Sequence, residues 1–111
     1  MNILENAKKQ FDSQNQQSIE VPEWGDDNGP AIIYWDRVTL ADRNVSIEKA
    51  GGANLIFYAH LIVRKAKDKN NNLLFKPANA VDFIYDIDPE ITLRIGQTML
   101  GTANVDNMEK K

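Results

Sequence analysis

The sequence predicts an α+β fold, predominantly α-helical, with four to five helices and an N-terminal β-hairpin. Three observations predict it. Two short strand-like runs, 18–21 and 31–35, flank the turn-forming string Gly25-Asp26-Asp27-Asn28-Gly29-Pro30. From there to about residue 101, apolar residues recur mainly at helical spacing. Helix punctuation divides that stretch at Thr39, at Gly51-Gly52, at Pro77 and at Asp88-Pro89-Glu90.

The elements follow in order. Ile3, Leu4, Ala7 and Phe11 fall on one face of a short amphipathic helix over residues 2–11. Ser18-Ile19-Glu20-Val21 alternates polar and apolar before Pro22, the pattern of an edge strand. Ala31-Ile32-Ile33-Tyr34-Trp35 supplies the second strand, and a hairpin of two strands needs cover from helices or from another subunit. Thr39-Leu40-Ala41-Asp42 has the spacing of a capping box and opens a helix over 40–50, which Gly51-Gly52 ends.

The next helix is expected to start near Ala53 and to form much of the core. Leu55, Ala59, Ile62 and Ala66 make one stripe, and Ile56, Phe57, Tyr58 and Val63 leave much of the remaining surface apolar as well. A buried strand is the competing reading of 55–63; continuation into Arg64-Lys65-Ala66-Lys67, cations suited to a helix C-terminus, favours the helix. After a polar connection at 68–72, Leu73, Leu74 and Phe75 are expected to return the chain to the core. Pro77 begins another helix, with Ala80, Ile84 and Ile87 on one face. Asp88, Pro89 and Glu90 stop it and start the last one. Residues 1–101 then form a single domain, and 102–111, which has no apolar face, is expected to be a flexible tail.

Composition narrows the function. A chain of 111 residues has room for one core, and 42% hydrophobic with 26% charged residues is the balance of a globular protein. No cysteine is present, which removes disulfides, thiolate metal sites and cysteine nucleophiles. The first fifteen residues alternate charges and amides without the apolar centre of a secretory leader, so a cytoplasmic location is expected. A net charge of −3 offers little to a phosphate backbone, which makes protein the default partner.

Catalytic and metal-binding patterns are weak. The single histidine, His60, sits inside an apolar helix and reads as a buried, hydrogen-bonded packing residue rather than a general base. Asp68, Asn70 and Asn72 have the alternating spacing that starts a calcium loop, but Leu73 and Asn79 occupy the places that need Gly and Glu. Capping and solvation account for the acidic group Asp82, Asp86, Asp88 and Glu90. Arg64, Lys65, Lys67 and Lys69 read as a solvated helix end. Trp24 and Trp35 with Tyr34 put much aromatic area on one hairpin; either helices cover it all or part of it faces a partner.

One segment carries a resemblance. Ile19-Glu20-Val21-Pro22-Glu23-Trp24-Gly25, then Ile33-Tyr34-Trp35, then Val38-Thr39-Leu40-Ala41-Asp42-Arg43 resembles the N-terminal half of bacteriophage tail assembly chaperones. The apolar helix 55–63, the turn 68–72 and the Leu74-Phe75 step continue the likeness, which spans about residues 18–100. Asp42 stands where that family has Glu, and Asn70-Asn71-Asn72 replaces its Gly turn.

The resemblance implies a non-catalytic protein that binds the tape measure protein and keeps it soluble while tail tube protein polymerises around it. It also implies a homo-oligomer in the cytoplasm of an infected or lysogenic bacterial host, with no cofactor, no nucleic acid and no membrane contact. The residues expected to receive the partner are Trp24, Tyr34 and Trp35 on the hairpin and Ile91, Ile95 and Met99 on the last helix. A hairpin edge beside Val21 is a further self-contact, limited by Pro22. The alternative readings are a minor tail or connector protein of a phage or prophage and, behind it, a small transcriptional regulator using 40–63.

Overall fold

The computed structural model describes residues 2–13 and 16–101. Five helices and a two-stranded antiparallel hairpin follow one another as the sequence predicts: α1 Ile3–Asp12, β1 Gln17–Asp26, β2 Gly29–Trp35, α2 Leu40–Ala50, α3 Ile56–Lys65, α4 Ala80–Tyr85 and α5 Pro89–Leu100. The expected flexible tail, 102–111, lies outside the described residues.

α1 starts where the Asn2 side chain accepts the Glu5 amide at 3.2 Å. No residue of this helix is buried. Its contacts with the body run through Arg37, which lies 5.3 Å from the Phe11 ring and 3.6 Å from Asp12.

The hairpin is longer than the two runs suggest. Gln17 faces Trp35 and Val21 faces Ala31, after which β1 carries extra residues before Asp26 meets Gly29. The strands stay close through this bulge because Gly25 has no side chain: a Cβ there would run into the Gly29 carbonyl and lie 2.7 Å from the Pro30 Cα. A two-residue turn closes the hairpin, and its Asn28 amide donates to Asp26 Oδ1 at 2.8 Å.

At the other side of β2, the chain leaving α3 docks as a single bridge. Tyr34 and Lys67 exchange backbone hydrogen bonds at 2.9 and 2.7 Å. The turn that follows is built by Asp68, whose Oδ1 accepts the Asn70 and Asn72 amides at 2.8 and 3.0 Å, with Asn71 in the left-handed region. This carboxylate organises its own loop.

Thr39 and Asp42 form the expected capping box, Thr39 Oγ1 accepting the Asp42 amide at 3.0 Å and Asp42 Oδ2 the Thr39 amide at 2.9 Å. Gly51 ends α2 in the left-handed conformation. α3 begins at Ile56 rather than near Ala53, because Asn54 Oδ1 takes the Ile56 amide at 2.9 Å and fixes the start there. Within α3, Phe57, Ala59, Leu61, Ile62 and Val63 are all buried, so this is the central helix. Leu55, assigned to its core stripe by spacing, is instead exposed.

Leu73 and Leu74 are also exposed, and of the 73–75 step only Phe75 packs inward, edge-on to Phe83 at 5.0 Å. Pro77 opens a short 3-10 turn before α4. Ala80 and Phe83 are the buried residues of that helix; Ile84 is half-buried, and Ile87 lies past its end. Asp88 caps α5, accepting the Glu90 amide at 3.0 Å.

One core joins these elements: Val21, Ile33 and Trp35 from the hairpin, the buried face of α3, Ala66, Ala80, Phe83, and Ile91, Ile95 and Met99 from α5. α5 approaches α3 closely at Gly96, where a Cβ would collide with the Tyr58 ring.

Candidate protein-binding surfaces

Asp42, only 7% exposed, accepts from Arg64 Nε at 2.8 Å and pairs with Lys65 Nζ at 2.9 Å. Burial alone raises its carboxyl; the Thr39 amide, Arg64 and Lys65 together outweigh that and hold it well below the usual carboxylate range. Lys67 Nζ meets Asp36 at 3.0 Å. The basic run read as a solvated helix end is thus largely consumed in tying α3 and its exit to the first turn of α2 and to Asp36 in the β2–α2 connection.

Across the molecule, Arg94 pairs with Glu23 at 2.7 Å and joins α5 to β1. Among the described residues, no group of three His, Asp or Glu side chains converges as a metal site. No described helix is long and apolar enough to cross a membrane.

Four of the six residues expected to receive a partner are core residues. Trp35, Ile91, Ile95 and Met99 are buried, because α5 turns that stripe onto α3 and the hairpin rather than outward. Spacing placed them at the surface; packing places them in the core. Trp24 is half-buried, its ring 6.0 Å edge-to-face from Phe83. Tyr34 is also half-buried, with its backbone held by Lys67. Two apolar depressions among the described residues offer accessible surface that spacing alone did not assemble.

The first is a cleft of about 260 Å³ between α2, α3 and the 73–77 segment, lined by Val45, Val63, Leu73 and Pro77 with Lys49, His60 and Arg64 around them. His60 departs from a second expectation: it is half-buried at this cleft rather than buried, with no side-chain hydrogen bond among the described residues. Burial, and then Lys49, lower its pKa from the ordinary 6.5. With Arg64 engaged by Asp42, the Lys49 ammonium is the cation left beside this apolar floor, and the pair is complementary to a segment that carries both aliphatic and acidic groups.

The second depression is a groove of about 120 Å³ between α3, α4 and α5, lined by Leu55, Ile56, Ala59, Phe83, Ile84, Pro89, Thr92 and Leu93. Both spaces are smaller than the roughly 300–1,000 Å³ of typical small-molecule sites, and suit side chains of another polypeptide. One signal in the sequence pointed here: α3 is apolar on nearly every side, more than one core accommodates.

No protein family, curated protein or solved structure matches the chain.

Proposed function

We propose that this chain is a non-catalytic bacteriophage tail assembly chaperone that binds the tape measure protein in the host cytoplasm, associates with copies of itself, and releases its client as tail tube protein assembles. The observation that carries the reading is the cleft between α2 and α3. Its aliphatic floor, with the Lys49 ammonium beside it, suits an amphipathic helix with an acidic flank, the kind of segment a long helical client exposes before it is encased. Leu73, 59% exposed at the cleft edge, is the accessible apolar anchor. The order of Val21-Pro22-Glu23-Trp24-Gly25, the second strand and the capped α2 supports the same reading through its likeness to that family.

Nothing in this activity makes or breaks a bond. The work is to keep an apolar helix covered with an affinity low enough for the tube to displace it. Co-expression with a phage tape measure protein tests it. The chain is expected to raise the soluble fraction of that protein and to co-purify with it, and Leu73→Asp or Lys49→Glu is expected to abolish both effects. Retention of the chain in purified virions, or failure to rescue the client, overturns the chaperone role; virion retention favours a minor tail or connector protein.

A further inference from the structure

The turn between β1 and β2 contains Asn28-Gly29, and no other asparagine of the chain is followed by glycine. That pairing matters for covalent chemistry. An asparagine side chain is electrophilic at Cγ, and the backbone nitrogen of the next residue is its nearest nucleophile. Glycine lets the two approach, because it carries no Cβ and adopts backbone conformations closed to other residues. Asn28 is exposed, and among the described residues its side chain makes no hydrogen bond, only its backbone amide being held by Asp26. Asn2, Asn44, Asn54 and Asn79, by contrast, are each tied through their side-chain oxygen or nitrogen. Gly29 has a φ of +125° and open space where a Cβ would stand. The Asp26–Gly29 pair ends the hairpin, separated from the Val21–Ala31 pair by the bulge, and the neighbouring Pro30 has no N–H for the ladder. So isolated a pair opens at little free-energy cost, which releases the Gly29 nitrogen toward the Asn28 side chain.

We propose that Asn28 is a site of spontaneous covalent modification, by succinimide formation and deamidation. Hydroxide removes the Gly29 amide proton, and the nitrogen attacks Asn28 Cγ. The new C–N bond closes a succinimide ring, and the side-chain nitrogen departs as ammonia with a proton taken from water. A second water then opens the ring. Cleavage between Cγ and the Gly29 nitrogen leaves an ordinary aspartate. Cleavage between that nitrogen and the backbone carbonyl carbon of residue 28 leaves isoaspartate, in which the chain runs through Cβ and Cγ. In sum a side-chain amide and water become a carboxylic acid and ammonia, and water is the only co-reactant.

Either product places a new carboxylate directly after Asp26 and Asp27, so three consecutive acids crowd the tip. The isoaspartate also lengthens the backbone by a methylene, which a two-residue turn has no slack to absorb, and the Asp26–Gly29 pair is lost. The pairs from Gln17–Trp35 to Val21–Ala31 persist, because Val21 and Ile33 anchor them in the core. The charge and shape of the tip therefore change while the fold stands. None of these turn residues lines the cleft between α2 and α3, so the modification is independent of the client reading.

Peptide mapping by mass spectrometry, after the folded protein has aged in mildly alkaline buffer, tests it. The peptide containing Asn28 is expected to gain the mass difference between an amide and an acid, with an equal amount of ammonia released. Isoaspartyl methyltransferase is expected to label that same peptide. The rate should rise in proportion to hydroxide and stay within about tenfold of the rate in the urea-unfolded chain, the ratio that a freely fraying pair allows. Over the time in which Asn28 is half converted, the other asparagines are expected to remain intact. Asn28→Gln, whose longer side chain closes a ring far more slowly, should abolish the ammonia release. Circular dichroism of the aged protein should match that of the fresh one. An Asn28 that stays an amide in the folded protein while the unfolded control converts overturns the proposal. So does conversion of other asparagines at the same rate, or a product with no isoaspartate.

Discussion

Replacing Asp42 by Asn removes one negative charge from a site that holds two cations. The carboxylate is buried, accepts the Thr39 amide, and faces Arg64 Nε and Lys65 Nζ at 2.8 and 2.9 Å. Breaking a buried ion pair from one side costs about 3–5 kcal/mol. That figure is an upper bound here, because the Arg64 side chain is 40% exposed and rehydrates readily, whereas Lys65 at 14% does not. The Asn side chain retains an acceptor for the Thr39 amide, so little of the cap is lost. A loss of about 2–4 kcal/mol at pH 7 results, or about 10–20 °C in melting temperature for a domain of this size. Urea unfolding followed by circular dichroism measures it. Since the folded-state pKa is depressed, the unmodified protein has the full contribution above the ordinary value of 3.8 and loses it as pH falls below that value. The gap between the two proteins must therefore narrow at about pH 2–3. A loss under about 0.5 kcal/mol at pH 7, the scatter of ordinary surface changes, or a gap independent of pH, refutes the assignment.

Other outcomes follow from single contacts. Gly96→Ala forces a Cβ against Tyr58 and is expected to cost about 1–3 kcal/mol in chemical denaturation, with part of that loss recovered when Tyr58 is also made Ala. Asp88→Ala removes the α5 cap and should lower stability by about 1 kcal/mol in the same assay. His60 has a lowered folded-state pKa, so the unfolded chain takes up its proton first and stability declines as pH drops below 6.5; His60→Gln is expected to flatten the profile between about pH 5 and 7. Ile95→Ala opens a cavity between α5 and α3 and should cost about 2–5 kcal/mol, visible as a lower urea midpoint.

Local chemistry made most of the elements legible. Thr39 and Asp42, Gly51, Asp88 and Pro89 act within one turn of themselves, so their pattern in the chain is their role in the fold. The hairpin was legible in position but not in extent, because the β1 bulge depends on Gly25 meeting Gly29 and Pro30 across the strands. Spacing also placed Leu55 and Leu73 in the core, since periodicity gives a face and not what lies opposite it. The candidate surfaces were the least legible part. Burying Ile91, Ile95 and Met99 requires knowing that α5 lies against α3, and His60 and Lys49 come together only through the α2–α3 approach. Large aromatic side chains drew the sequence reading to Trp35, yet size serves a core as well as an interface.

The bridge between Tyr34 and Lys67 bears on what the hairpin can pair with. A hairpin ordinarily has two lateral borders at which a foreign strand can add. Here one border is occupied at Tyr34 by the chain's own backbone at Lys67, and the other contains Pro22, which has no N–H to donate. Addition of a foreign strand is thereby discouraged on both flanks, which protects a short hairpin from edge-to-edge aggregation.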